Sequence, residues 1–355
     1  MRKVDRIAQD HMNKRILIVG LGSMGERHLS VIQGLFPEAK IKVFRQGERR
    51  EETKPGLNEV SSLNEARQFL PEIIVICNPA SEHINTALKF IDARVNLFIE
   101  KPISHSTNEI VQLISAFMAT NGVLMVGYNL RYLKSLQEFR RNLLDGLIGV
   151  PLSVRCEVGQ YLPSWRPKKD YRESVSAKRE LGGGVLLELS HEIDYLRWIF
   201  GEVDWVRATL LQQSALEIDV EDTVHLTIGF ENVTAGRQLV ASLNMDFIRH
   251  DTRRSCTVIG NKGSLHWDGI LGEVSIFRAG EKTWQTLFTN DNGIEDTYIL
   301  EWHELIKAIE KKRSPAVTGE DGLRVVEIIE AARLSSKSGI QTAVIRSSIK
   351  NEAAR

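Results

Sequence analysis

The stretch RILIVGLGSMGERH, residues 15–28, joins a short apolar run to a helix-patterned segment through Gly20, Gly22 and Gly25. GxGxxG spacing alone is weak, because glycine is common. Placed after a strand and opening a helix, it carries specific physics. Gly20 permits the tight turn, Gly22 lets backbone approach a pyrophosphate, and Gly25 lets the helix lie close to the strand. The N–H groups that open this helix, at Ser23 and Met24, would face the phosphates. The competing reading is an ordinary strand-to-helix turn.

The same rhythm continues along the first half. Apolar runs at residues 41–45, 73–77, 96–99 and 123–126 alternate with helix-spaced segments, including residues 81–93. Ser62 to Glu65 and Ser106 to Glu109 fit capping boxes, in which the first side chain and the fourth satisfy each other's backbone N–H groups. Most of these strands are continuously apolar, as a parallel sheet buried on both faces requires. Strand and helix repeated in this way predict a doubly wound α/β domain over residues 15–128. Ligands of such sheets sit beyond the carboxyl ends of the strands, where Gly20, Arg45, Asn78 and Lys101 fall.

Two of these strand ends raise chemical questions. NLFIEKPIS ends a buried strand in Glu100, Lys101 and Pro102, two opposite charges and a residue that cannot continue a sheet ladder. At the second strand, an acid about 20 positions after the glycines would bind the ribose 2′-hydroxyl of NAD. Counting from Gly25 reaches Arg45 instead, in VFRQGERR, with no Asp or Glu at the strand end. Arg45, with Arg49 or Arg50 behind it, would suit a 2′-phosphate and tilts the choice from NAD towards NADP. The alternative is a solvated basic loop.

After residue 128 the pattern changes. Runs of β character follow a helix at residues 133–144, and two helices, residues 297–311 and 319–336, come late. An α+β domain with an open, mostly antiparallel sheet is predicted over residues 129–350, with residues 1–14 a polar extension. Within it, LGGGVLLELSHEIDYLRWIFG predicts one helix that carries Glu188, His191 and Asp194 near one face. A carboxylate one turn from a histidine can orient the ring and raise its basicity. A capped helix with a satisfied histidine explains the same pattern.

Composition removes other classes. Forty-six basic and 46 acidic residues cancel, so no field points to nucleic acid or a membrane surface. The three cysteines are far apart without CxxC spacing, and neither disulfides nor a metal site are expected. The N-terminal residues lack a signal-peptide core, and no run approaches the roughly 18 apolar residues of a membrane span. A cytoplasmic protein is expected.

GLGSMGERH, CNPASEHINTA, IEKPIS, GYNLRY and GGGVLLELSHEIDYLRW together resemble the glucose–fructose oxidoreductase / inositol dehydrogenase / rhizopine catabolism (Gfo/Idh/MocA) family, over residues 15–345. The resemblance implies an NAD(P)-dependent oxidoreductase acting on a sugar, sugar acid or related polyol, commonly a homodimer or homotetramer. It puts Lys101 on the family's Glu-Lys-Pro lysine, which orients the substrate hydroxyl, and Pro102 on a proline often preceded by a cis bond. It places Asn78, Pro79 and His83 in a loop near the cofactor, with Glu100 beside it, and makes His191 the acid/base. The family's usual Asp four residues before that histidine is Leu187 here, so the role of Glu188 stays open between substitute and sugar contact. Asn129 and Asp194 are implied on the substrate side. GQYLPSWRPKKDYRES resembles a substrate loop offering Tyr161, Trp165, Arg166, Asp170, Tyr171 and Arg172; the bland alternative is a surface loop anchored by its Trp. The rival function is a non-catalytic dinucleotide-sensing regulator on the same fold.

Overall fold

The computed structural model describes residues 14–45, 57–92, 95–234, 236–290 and 293–349. Arg49, Arg50 and all but the last residue of the expected N-terminal extension lie outside these. The chain forms two compact units, Met1–Gly127 with Tyr298–Leu323 and Ser347–Arg355, and Tyr128–Thr297 with Arg324–Arg346. The first segment ends where the sequence rhythm changes. Residues 298–323, read from the sequence as part of the second domain, belong instead to the first unit.

The first unit is built on strands β1 (Arg15–Val19), β2 (Lys40–Phe44), β3 (Glu59–Val60), β4 (Ile73–Ile76), β5 (Asn96–Glu100) and β6 (Leu124–Gly127). All neighbours pair in parallel in the order β3-β2-β1-β4-β5-β6. This is the doubly wound order, whose reversal point lies between β1 and β4. The central strands are buried beyond their first residues, β4 on all of its residues, as their unbroken apolar runs predict. Helices α1 (Ser23–Leu35), α2 (Leu63–Gln68), α3 (His83–Leu88) and α4 (Ile110–Met118) connect them. The Ser62 cap forms, with Ser62 Oγ accepting from the Glu65 N–H at 3.2 Å, but the Glu65 side chain accepts from the N–H of Ser61, one residue before the cap. The Ser106 box does not form. Glu109 is itself the N-cap of α4 and no side chain caps it. The segment expected as a helix over residues 81–93 is a 3-10 turn followed by the six residues of α3.

The second unit carries α5 (Lys134–Leu144), β7 (Pro151–Gly159), α6 (Val185–Glu188), α7 (His191–Phe200), β8 (Val203–Leu211), β9 (Thr223–Thr234), β10 (Arg237–Asp246), β11 (Arg253–Gly260), β12 (Gly263–Asp268), β13 (Glu273–Arg278) and β14 (Gln285–Thr289). The chain continues through α8 (Glu295–Lys311) and α9 (Gly319–Ser338), which lie partly in each unit's ranges, to β15 (Thr342–Ala343). The nine strands form one sheet in the order β14-β13-β12-β11-β7-β10-β9-β8-β15. Only β7 and β10 pair in parallel, so the mostly antiparallel sheet expected from the sequence is what forms. Val154, Cys156 and Val158 of β7 alternate inward. Above them, Tyr195 of α7 meets the Trp267 ring edge-on at 5.4 Å, and the Trp267 indole donates to Ser135 Oγ of α5 at 3.0 Å. Of the strands missed from the sequence, β3 and β15 have two residues each and β14 lies at the sheet edge, while β12 is a six-residue strand between β11 and β13.

Helix α8 drives Trp302 into the first unit, parallel to the Phe98 ring at a centroid distance of 6.2 Å. Beside it, Glu301 is 0% exposed and neither of its oxygens has a hydrogen-bond partner among the described residues. Burial, and then the nearby Glu100 charge, hold its carboxyl well above the ordinary carboxylate range. The unfolded chain ionises this group from about pH 4.3 upward, while the folded chain resists. The stability its neutral form contributes is therefore full in acid and lost as pH rises through the raised folded value. Glu301→Gln should melt like wild type in acid and be more stable by about 1–3 kcal/mol at mildly alkaline pH. Denaturant titrations across that range check this; a pH-independent gap contradicts it.

Candidate active site

In the first unit the chemistry gathers at the carboxyl ends of β1, β2, β4 and β5. Gly20 has φ +87°, and a Cβ there would meet the Asn78 backbone N at 2.8 Å. A Cβ on Gly25 would lie 2.1 Å from the Gly20 carbonyl oxygen, so only glycine lets α1 sit this close to β1. Gly22 differs, because nothing lies within 4 Å of where its Cβ would be. It is the N-cap of α1 and offers no side chain, so the N–H groups of Ser23 and Met24 begin a helix without a side-chain cap. Beside the loop, the Asn78 amide donates to Thr86 Oγ1 at 2.9 Å, while its buried Oδ1 has no partner among the described residues. Open space over Gly22, an uncapped thirteen-residue helix and an orphaned buried acceptor suit a dinucleotide.

The ribose end departs from the sequence reading. An acid does stand beside the end of β2, contributed by the two-residue strand β3. Arg45 Nη1 lies 3.2 Å from Glu59 Oε1, and the Glu59 side chain is 6% exposed. The guanidinium expected to await a 2′-phosphate is already paired.

At the end of β5, Lys101 is half-buried and the Lys101–Pro102 bond is cis, as the family resemblance implied. Glu100, expected to touch the cofactor, instead turns inward. It is 5% exposed, Oε1 lies 2.6 Å from His28 Nε2, and Oε2 accepts the Lys101 N–H at 3.2 Å. His83, also expected at the cofactor, is 2% exposed, with Nδ1 2.9 Å from the Pro102 carbonyl and Nε2 2.7 Å from the Asn78 carbonyl. Burial lowers its pKa, and the two carbonyls oppose that. Both ring nitrogens face protein carbonyls, and the neutral ring, with a single N–H, donates to only one of them at a time. Pro79 ends the β4 loop and caps the 3-10 turn before α3.

In the second unit the expected single helix is broken. Helix α6 ends at Glu188, and α7 begins at His191 after the turn at Leu189 and Ser190. Glu188 and His191 are both half-buried, while Leu187, where the family's Asp would stand, is 1% exposed. The glycine lead-in has a structural cause: Gly184 takes φ +104°, and a Cβ there would meet the Glu221 carboxylate, which accepts the Leu186 N–H at 3.1 Å. His191 stands edge-on to the Tyr128 ring at 5.6 Å, and Tyr128 donates to Ser190 Oγ at 3.4 Å. Tyr128 was not singled out from the sequence.

The remaining substrate-side expectations fare differently. Asp194 is 1% exposed, and its two oxygens accept from Arg131 at 2.6 and 2.9 Å, a buried bidentate clamp with nothing presented to a sugar. Asn129 is 2% exposed and donates to Thr297 Oγ1 at 2.7 Å, which makes it an internal brace. Trp165 donates to the Gln160 carbonyl at 3.1 Å and rests edge-on against Phe247, the anchoring alternative of the sequence reading. Tyr171 accepts the Glu217 N–H, and Arg172 is paired with Asp170 and Glu217. Arg166 is exposed. Among the described residues no His, Cys, Asp or Glu cluster could hold a metal, and no helix is long and apolar enough to cross a membrane.

A parallel sheet in this order, carrying a glycine loop at its reversal point, defines a dinucleotide-binding Rossmann protein. Residues 14–128 match the model of an oxidoreductase family's NAD-binding Rossmann fold, and residues 140–344 match that family's C-terminal alpha/beta domain. The chain belongs to this GFO/IDH/MocA oxidoreductase family. It is 27% identical to the uncharacterized oxidoreductase YrbE of Bacillus subtilis, over 94% of this chain and 98% of that one. It is 23% identical to the myo-inositol 2-dehydrogenase of Thermotoga maritima, over 90% and 96%. A levoglucosan dehydrogenase solved in complex with NADH shares the fold with a TM-score of 0.80 at 22% identity, over 94% of this chain and 100% of that one.

The last two glycines of the loop separate fold from ligand. Gly25→Ala should destabilise the protein by about 1–3 kcal/mol, because its Cβ drives into backbone. Gly22→Ala should melt within about 1 kcal/mol of wild type yet bind NADH at least about tenfold more weakly. Thermal melts and fluorescence titration check the pair; unchanged NADH affinity in Gly22→Ala contradicts this loop as the pyrophosphate site.

Proposed function

We propose that the protein is an NAD(H)-dependent oxidoreductase that moves a hydride between nicotinamide and a hydroxyl-bearing carbon of a sugar, sugar acid or related polyol. The observation that carries this is Lys101 at the carboxyl end of β5, in the sheet whose glycine loop ends β1. Further support comes from relatives named as inositol and levoglucosan dehydrogenases and a 1,5-anhydro-D-fructose reductase. When bound, the nicotinamide supplies or accepts the hydride. Lys101 orients the reacting oxygen through its ammonium, and His191 gives or takes the hydroxyl proton. Glu188, half-buried at the end of α6, is reserved for sugar contact. Lys101→Ala should lower turnover about 10²- to 10³-fold on whichever polyol of a panel is active, with NADH binding nearly unchanged. Turnover like that of wild type would sink the mechanism.

The Arg45–Glu59 pair argues for NAD(H) over NADP(H). A 2′-phosphate placed at Arg45 would face the Glu59 carboxylate, a like-charge contact worth several-fold to many-fold in affinity. NADH should therefore bind more tightly than NADPH, and Glu59→Gln should narrow the gap by about tenfold. NADPH binding more tightly to wild type would reverse the assignment. The proposal extends to a cytoplasmic homodimer or homotetramer, for which the family resemblance is the ground.

A further inference from the structure

Lys101 is gripped from both chain neighbours. The residue before it, Glu100, gives Oε2 to the Lys101 N–H and Oε1 to His28. The residue after it, Pro102, gives its carbonyl to His83. The tautomer of His28 follows from its other partner. The Trp302 indole, which only donates, points at His28 Nδ1 at 3.0 Å, so Nδ1 accepts and Nε2 carries the hydrogen donated to Glu100. His28 is 0% exposed, and Phe98 packs edge-on against its ring at 4.9 Å. Gly127, the last residue of β6, leaves room for the same carboxylate, since a Cβ there would lie 3.2 Å from Glu100 Oε2.

We propose that His28 and His83 are positioning residues that set Lys101 from either side and tie it to the two loops offered to the dinucleotide. His28 stands on α1, the helix opened by the glycine loop. His83 reaches the Asn78 carbonyl in the loop after β4. A movement of the glycine loop reaches the lysine through the His28–Glu100 hydrogen bond, and one of the Asn78 loop through His83 and its contact with the Pro102 carbonyl. Neither histidine touches the reacting atoms, and the role rests on the reading of Lys101 as the residue that orients the substrate oxygen.

The test reads Lys101 without any substrate. The full-length protein is pulse-acetylated with acetic anhydride, and the modification of Lys101 is measured by mass spectrometry against Lys42 and Lys262 as internal references. His28→Leu and His83→Leu should each change the relative rate at Lys101 by about threefold or more, since a lysine's reactivity follows its local environment. His28→Gln, whose amide can donate to Glu100 and accept from Trp302, should keep the wild-type rate. In the proposed reaction, the leucine variants should lose about 10- to 100-fold in kcat with little change in NADH affinity. Unchanged Lys101 labelling in the leucine variants, or His28→Gln behaving as His28→Leu, overturns the proposal. Should His28→Leu alter the reference lysines and so fail to fold, Glu100→Gln decides: its single amide oxygen can satisfy only one of the His28 and Lys101 donors, so the grip is broken on one side and Lys101 must shift in the same way. Shifted labelling in a protein inactive on every polyol would leave this clamp standing and remove the oxidoreductase reading.

Discussion

A carboxylate buried at the end of a parallel strand must find donors, and the first unit is organised around the ones Glu100 finds. His28 comes from the first helix, Trp302 behind it from α8, and the remaining donor is the backbone of Lys101 itself. One acid thus holds together the glycine-loop helix, the central sheet and a helix distant in sequence. The same charge helps keep Glu301 neutral nearby. Replacing such a group leaves a partner unsatisfied in a low-dielectric interior, so its cost exceeds that of a surface hydrogen bond.

The open face of this arrangement is the counterpart of the closed one. Parallel strands buried on both sides leave only their ends for chemistry, which places Gly20, Arg45, Asn78 and Lys101 along one edge of the sheet. There the protein withholds side chains where a phosphate would sit, at Gly22, and leaves Asn78 Oδ1 without a partner. In the second unit the same logic runs the other way. Asp194 and Asn129 look available in the sequence and are consumed inside by Arg131 and Thr297.

This contrast explains what could be read in advance. The alternation of apolar strands and helices was legible because burial on both faces leaves a continuous signature, and the glycine loop because each glycine answers a local steric demand. The Ser62 cap was legible because its partners lie within four residues. The break between α6 and α7 was hidden because apolar spacing continues through Leu189. Glu59 was missed because a two-residue strand has no pattern, although it brings the acid to Arg45. His28 stood in plain view in GERH, but its meaning depends on Glu100 and Trp302, 72 and 274 positions away. Sequence names the groups able to bind a ligand; only the fold reveals which of them are already spent on the protein.

The most direct measurement is the fate of the hydride itself. The purified protein would be incubated with NADH deuterated at one face of nicotinamide C4 and a panel of keto-sugars and keto-inositols, and the products examined by mass spectrometry. The account predicts deuterium at a single carbon of a reduced product, from one of the two labelled faces only. Tight NADH binding with no label passed to any sugar would contradict it and favour a dinucleotide-sensing regulator on the same fold.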